Sequence, residues 1–301
     1  MRRPPIPLLP IPLLLVLLLP VLLSGCYLSR SADLPDELGR TWRGATVAVP
    51  FSAVDPALAD VTGRMAEVED RLRAARPAGR LPLVVFLHGC NGLHPGYRVD
   101  LGFLRAQGYA VVAPDSFARD YKPRSCDRHS KTGGFHPGVI GFRLAETAHA
   151  LERVRAFPWV DPDRIVLMGQ SEGGITTANW EGDGLAGRVI LGWTCQIPWP
   201  PLWGLRGDRS TPVLSVVSRD DPWFAPWYVA GDCGTDMDGF ADARSVVLDG
   251  STHHVLRLPE AQRAVAEFLA RVAPTRVAPA LARPGPPVGV PALRGKPLRP
   301  G

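Results

Sequence analysis

The chain has 301 residues, 46% of them hydrophobic, enough for one large α/β domain or two small ones. Its net charge of +5 comes from the ends: Arg2 and Arg3 begin the chain, and five basic residues with no acid lie in 274–301. The body between them is near neutral and shows no zinc-finger or RNA-binding spacing, so no nucleic-acid partner is expected.

Residues 1–25 are predicted to be an export signal. A short basic start, the almost wholly apolar run Ile6 to Leu23 and small residues before a cleavage point make that pattern. Prolines at 4, 5, 7, 10, 12 and 20 argue against a stable membrane-spanning helix. Leu23-Ser24-Gly25-Cys26 resembles a bacterial lipobox, which implies that Cys26 is lipidated and becomes the mature N-terminus. Acyl chains there would tether a soluble domain to a membrane on the periplasmic side. Tyr27, standing where Asp often marks inner-membrane retention, favours the outer membrane.

Residues 26–44 read as a polar tether, and residues 45–273 as the folded domain. Ala45 to Phe51 is a first strand. Leu58, Val61, Met65, Val68 and Leu72 have helical spacing, predicting a helix over Pro56–Ala75. Leu81 to Leu87 is apolar throughout, as a central parallel strand should be, and runs into His88-Gly89-Cys90-Asn91-Gly92. A helix over 97–107, a strand over Tyr109–Ala113 and a polar loop over 117–137, rimming any site, come next. Val139 to Phe157 is a long amphipathic helix. Strands follow at Ile165–Met168, Arg188–Trp193, Pro212–Val217 and Ser245–Leu248, then a helix at Glu260–Val272. Alternating strands and helices predict a mainly parallel central sheet with helices on both faces, an α/β class. From 274 to 301, eight prolines among glycines and basic residues predict a disordered tail.

The chemistry centres on Gly169-Gln170-Ser171-Glu172-Gly173-Gly174. A G-x-S-x-G between a strand and a helix is the context of a nucleophile elbow, which raises the Ser171 hydroxyl above the sheet edge. A serine hydroxyl needs a base to take its proton and an acid to orient that base, in the chain order Ser, Asp or Glu, His. Ser218-Arg219-Asp220-Asp221-Pro222 follows a strand and offers Asp221 as the acid, with Asp220 in reserve. Gly250-Ser251-Thr252-His253-His254 follows the last strand and offers His253 as the base, with His254 the alternative. An oxyanion hole needs two aimed N–H donors; the Glu172 backbone and that of Cys90, with Asn91 next, are the candidates. His88 lies too early in the chain for the base and is expected to order its loop. The carboxylate of Glu172 either favours a cationic or polyhydroxylated substrate or faces outward.

Four cysteines remain after Cys26: Cys90, Cys126, Cys195 and Cys233. In an oxidising compartment an even count favours disulfides. Of three pairings, Cys90–Cys126 and Cys195–Cys233 would each join loops at one edge of the sheet. An aromatic-rich region (Trp193, Trp199, Trp203, Trp223, Phe224, Trp227, Tyr228) reads either as an apolar or sugar-stacking pocket wall or as ordinary packing.

Together, His88-Gly89-Cys90, Pro114-Asp115, residues 164–174, Asp221-Pro222 and Gly250-Ser-Thr-His253 resemble the dienelactone hydrolase family of α/β-hydrolases, over about residues 80–272. Dienelactone hydrolase proper carries a cysteine nucleophile where this chain has Ser171. The resemblance therefore implies a serine-bearing relative acting on small ester or lactone substrates, with no metal and no organic cofactor. An oligopeptidase-like serine peptidase is the alternative activity. A non-catalytic envelope-binding lipoprotein is the alternative without chemistry.

Overall fold

The computed structural model describes residues 34–276, apart from 137, 198, 200 and 201. Its elements in chain order are α1 (Pro35–Arg43), β1 (Thr46–Val49), β2 (Val61–Arg64), α2 (Met65–Ala74) and β3 (Leu81–Leu87). Then come α3 (Tyr97–Ala106), β4 (Ala110–Ala113), a small hairpin of β5 (Cys126–Asp127) and β6 (Thr132–Gly133), and α4 (Val139–Arg155). The chain continues through β7 (Val160–Gln170), α5 (Glu172–Ala178), β8 (Gly187–Leu191), β9 (Val213–Ser218), β10 (Ala243–Leu248) and α6 (Pro259–Val272).

The main sheet has eight strands in the order β10-β9-β8-β7-β3-β4-β1-β2. From β4 to β10 every pairing is parallel, and β1 is antiparallel to both β4 and β2. This is the α/β-hydrolase arrangement expected from the sequence. All seven residues of β3 are buried because both faces of the sheet are covered. Leu81, Leu83, Val85 and Leu87 join a core built with α1, α2 and α4, including Trp42, Leu72, Leu151 and Val154. Val84 and Phe86 point the other way, into a core built with α3 and α6 through Leu101, Leu104, Val265 and Leu269. Successive strand residues alternate faces, so one continuous apolar run feeds two cores.

The sheet places its functional edge by its winding. After β3 the chain adds β4 on one side, and after α4 it returns to add β7 on the other. The β3–β7 boundary is thus where strand order reverses, and crevices outside the carboxyl ends of strands form at such points.

Three expectations need correction. Residues 26–44 are not all tether: Pro35–Arg43 forms a helix whose Trp42 is buried and stacks on Phe157, ring centroids 6.1 Å apart. The folded body therefore begins near 35 rather than 45. The helix predicted over Pro56–Ala75 starts only at Met65. Val61–Arg64 instead pairs with β1, where β-branched and glycine residues suit an edge strand better than a helix. The strand leading to Ser171 begins at Val160, five residues ahead of the apolar run that announced it. The export signal, Cys26 and nearly all of the proline-rich tail lie outside the described residues.

Candidate active site

At the carboxyl end of β7 the chain turns sharply into α5. Ser171, at the turn, has φ 57° and ψ −118°, a conformation that costs a non-glycine residue about 1–3 kcal/mol. Backbone hydrogen bonds hold it there. Its N–H donates to Leu191 O at 2.8 Å, and its carbonyl accepts from Ile175 N–H at 2.9 Å. The two flanking glycines let strand, helix and β3 touch. A Cβ on Gly169 would sit 2.0 Å from Gly173 O, and one on Gly173 would sit 2.1 Å from Leu87 O.

The loops after β9 and β10 meet beside this turn. Asp221 is buried, and its carboxylate accepts from Trp223 N–H at 3.0 Å and from His253 Nδ1 at 2.6 Å. A carboxylate only accepts, so Nδ1 carries the proton and Nε2 is left with a free lone pair. Nε2 is buried and has no hydrogen-bond partner among the described residues. The imidazole stacks on Trp223, with centroids 5.1 Å apart and planes 25° apart. Its backbone is held too: Gln170 Nε2 donates to His253 O at 2.8 Å, and Ser218 Oγ donates to Thr252 O at 2.8 Å. Ser171 and His253 line one cavity, with no hydrogen bond joining them; such contacts commonly tighten only when substrate binds.

Of the sequence alternatives, Asp220 is exposed on the loop surface, away from His253's bond. His254 packs its ring 5.8 Å from those of His94 and Tyr97. Burial pushes its pKa down to about 4, with the neighbouring His253 adding to the effect, so it is neutral at pH 7.

The loop after β3 is tied down atom by atom. Gly89 N–H donates to the Tyr97 hydroxyl at 2.8 Å. His88 donates from Nδ1 to Gly89 O at 2.7 Å and accepts at Nε2 from Ser116 N–H at 3.1 Å. Burial, then the Arg143 charge, holds His88 well below the usual imidazole pKa, so it stays neutral and structural, as expected. The backbone N–H groups of Cys90 and Glu172 have no acceptor among the described residues and flank the cavities at Ser171.

Glu172 meets neither of its expectations. Its carboxylate is buried in an ionic network: Arg143 donates to it at 3.1 Å and Ser125 Oγ also bonds to it. Arg143 in turn donates to His88 O at 2.7 Å and lies beside Glu146, which accepts from Ser116 and Arg119. The residue after Ser171 thus links the elbow to the β3 loop and to the rim. Sequence reading missed this network. The signal available was a pair of opposite charges, Arg143 and Glu146, spaced i,i+3 within an otherwise core-facing stretch of α4.

Both disulfides fall at this edge, Cys90 to Cys126 and Cys195 to Cys233. The first fastens the β5–β6 hairpin to the β3 loop. Two cavities, of about 430 and 450 Å³, open on either side of Ser171. Trp193, Trp199, Trp223 and Tyr228 wall the first, which favours the pocket reading for these four, while Trp227 is 88% exposed and lines neither. Among the described residues no cluster of His, Cys, Asp or Glu could hold a metal ion.

No family model matches the chain, and no curated protein matches it. Solved structures do. A putative dienelactone hydrolase from Klebsiella pneumoniae is similar at 18% identity over 66% of this chain and 90% of its own, with a TM-score of 0.46. A phospholipase/carboxylesterase from Dyadobacter fermentans is similar at 17% identity over 63% and 90%, with a TM-score of 0.44. The acylaminoacyl peptidase of Pyrococcus horikoshii is similar at 16% identity over 67% of this chain and 38% of its own, with a TM-score of 0.43.

Proposed function

We propose that the chain is a serine hydrolase that cleaves carboxylic esters or lactones through an acyl-enzyme. The observation that carries this reading is His253, held by the buried Asp221 on one nitrogen and unpartnered at Nε2, lining one cavity with a backbone-strained serine. An ordinary packing histidine has no need of a buried carboxylate on one nitrogen and an open lone pair on the other.

In this mechanism Ser171 Oγ attacks the substrate carbonyl carbon as His253 Nε2 takes its proton. Asp221 holds the tautomer and stabilises the imidazolium. The carbonyl oxygen, now negative, accepts from the Cys90 and Glu172 N–H groups, each worth about 10²–10³ in rate. His253 returns the proton to the leaving alcohol oxygen as the acyl–oxygen bond breaks. Water then attacks the acyl group with His253 again as base, releasing the acid and restoring Ser171. No step calls for a metal or organic cofactor.

The sequence supports a location for this activity. A lipidated Cys26 would tether the enzyme to a membrane on the periplasmic side, with eight residues, 27–34, between Cys26 and α1. In that case Cys26→Ser moves the protein from the membrane fraction to the soluble one.

The activity is tested with short-chain aryl esters, comparing wild type with Ser171→Ala and His253→Ala. Turnover lost in both variants, with the fold retained, is the expected result. Equal turnover in wild type and Ser171→Ala would remove the assignment.

A further inference from the structure

The two cavities that meet at Ser171 differ in chemistry. Ile175, Trp193, Ile197, Trp199 and Tyr228 give the first an aromatic and branched apolar wall. The second is lined by His94, Arg128, Lys131 and His254 and by no carboxylate. Arg128 and Lys131 are exposed cations, and neither has a carboxylate partner among the described residues. The carboxylate nearest in sequence, Asp127, is already paired with Arg124. Lys131 sits in the hairpin between β5 and β6 at φ 56°, its Nζ 5.9 Å from the Trp223 ring centroid, and so borders both cavities. The Cys90–Cys126 disulfide fixes the base of that hairpin.

Which half of a substrate enters which cavity follows from proton delivery. The leaving alcohol must receive its proton from His253, and His253 lines only the second cavity. The alcohol half therefore occupies the cationic side and the acyl half the aromatic side. We propose, building on the serine hydrolase reading, that the substrates are esters of a bulky apolar, preferentially aromatic acid with an alcohol that bears an anion, carboxylate or phosphate. Arg128 and Lys131 are its specificity-determining cations. Hydrolysis breaks the acyl–oxygen bond, water supplies the hydroxyl of the acid, and the anionic alcohol leaves with the proton from His253.

The test uses matched benzoyl esters: O-benzoylglycolate, its neutral glycolamide counterpart, and benzoyloxyethyl phosphate beside its neutral methyl ether. O-acetylglycolate serves as the acyl control. The readout is the ratio of kcat/KM for each anionic ester over its neutral partner, which cancels general effects of a substitution. In the double variant Arg128→Gln, Lys131→Gln this ratio should fall about ten-fold for at least one anion, and the two arms show which. The wild-type ratio should also fall as salt is raised. Ratios within two-fold of wild type in the variant would overturn the anion assignment. Turnover of the acetyl ester well above the benzoyl ester would overturn the acyl assignment while leaving the serine hydrolase reading intact. Failure of wild type to turn over any ester or to react with a fluorophosphonate would sink both.

Discussion

Ser171 holds a backbone conformation that its own side chain disfavours, and His253 holds a nitrogen with nothing to bond. Each is a local cost, and they occur side by side, where a functional site would gather them. The carboxylate of Asp221 fixes the imidazole, so its loss should act on chemistry before stability. Asp221→Asn is expected to lower kcat by about 10³–10⁴-fold by favouring the wrong tautomer, read from ester turnover alongside a melting curve. A second residue-scale prediction concerns Asp100 on α3, which takes no part in the mechanism. Burial raises its pKa from 3.8 to about 6, and Oδ1 has no partner among the described residues. Between those values the folded state binds the extra proton, so this group's contribution to stability falls as pH rises from about 4 to 6. His254, with a folded pKa depressed to about 4, works in the opposite direction over 4 to 6.5 and cancels when variants are compared at each pH. Asp100→Asn should therefore be more stable than wild type at pH 7.5, on the order of 2 kcal/mol, and should lose that advantage below pH 4. Melting temperatures across that range check it; a constant difference would contradict it. At this scale the sequence put Ser171, Asp221 and His253 forward first and kept Asp220 and His254 as alternatives. The elbow spacing singled out Ser171, while the choices between His253 and His254, and between Asp220 and Asp221, depended on which side chain turns inward.

β7 and α5 approach each other through glycine, and β3 lies close behind. Gly173→Ala would place a methyl against the Leu87 carbonyl, a backbone atom that cannot swing aside, so the elbow and the β3 loop would have to separate. We expect a loss of roughly 2–4 kcal/mol and of nearly all turnover, measured by denaturant unfolding and ester hydrolysis. The same element pair explains Glu172. Placed at the first turn of a seven-residue helix, its carboxylate meets Arg143 from α4 and Ser125 from the rim, and so couples three segments that must keep register around Ser171. Elements with one dominant signal were legible from sequence: β3 as an unbroken apolar run and α4 as a long amphipathic stretch. Where two signals competed, the reading slipped. Leu58 to Leu72 kept helical spacing across a strand and a helix because Val61 and Met65 are both buried, one through sheet pairing and the other through helix packing. α1 passed for tether because a single aromatic, Trp42, anchors it.

At the scale of the molecule, sheet winding places the elbow and the β3 loop at one reversal point, and two disulfides fasten the loops that crown it. Cys90 and Cys126 are 36 residues apart, so their bond removes a large loop from the unfolded ensemble. Replacing both by serine should cost about 2–4 kcal/mol and raise KM as the rim hairpin loosens; an unchanged melting temperature would contradict this. The cysteine pairing and the rim were legible from cysteine number and loop placement, because both depend on topology. The two-sided character of the cleft was not, since it arises from side chains drawn from separate loops. Whether Ser171 is a nucleophile is read most directly from the mass of the intact protein after reaction with a fluorophosphonate, followed by peptide mapping. One adduct per chain is expected, on Ser171, formed far more slowly when Asp221 is Asn. A folded protein that remains unmodified, or an adduct on another residue, would contradict it.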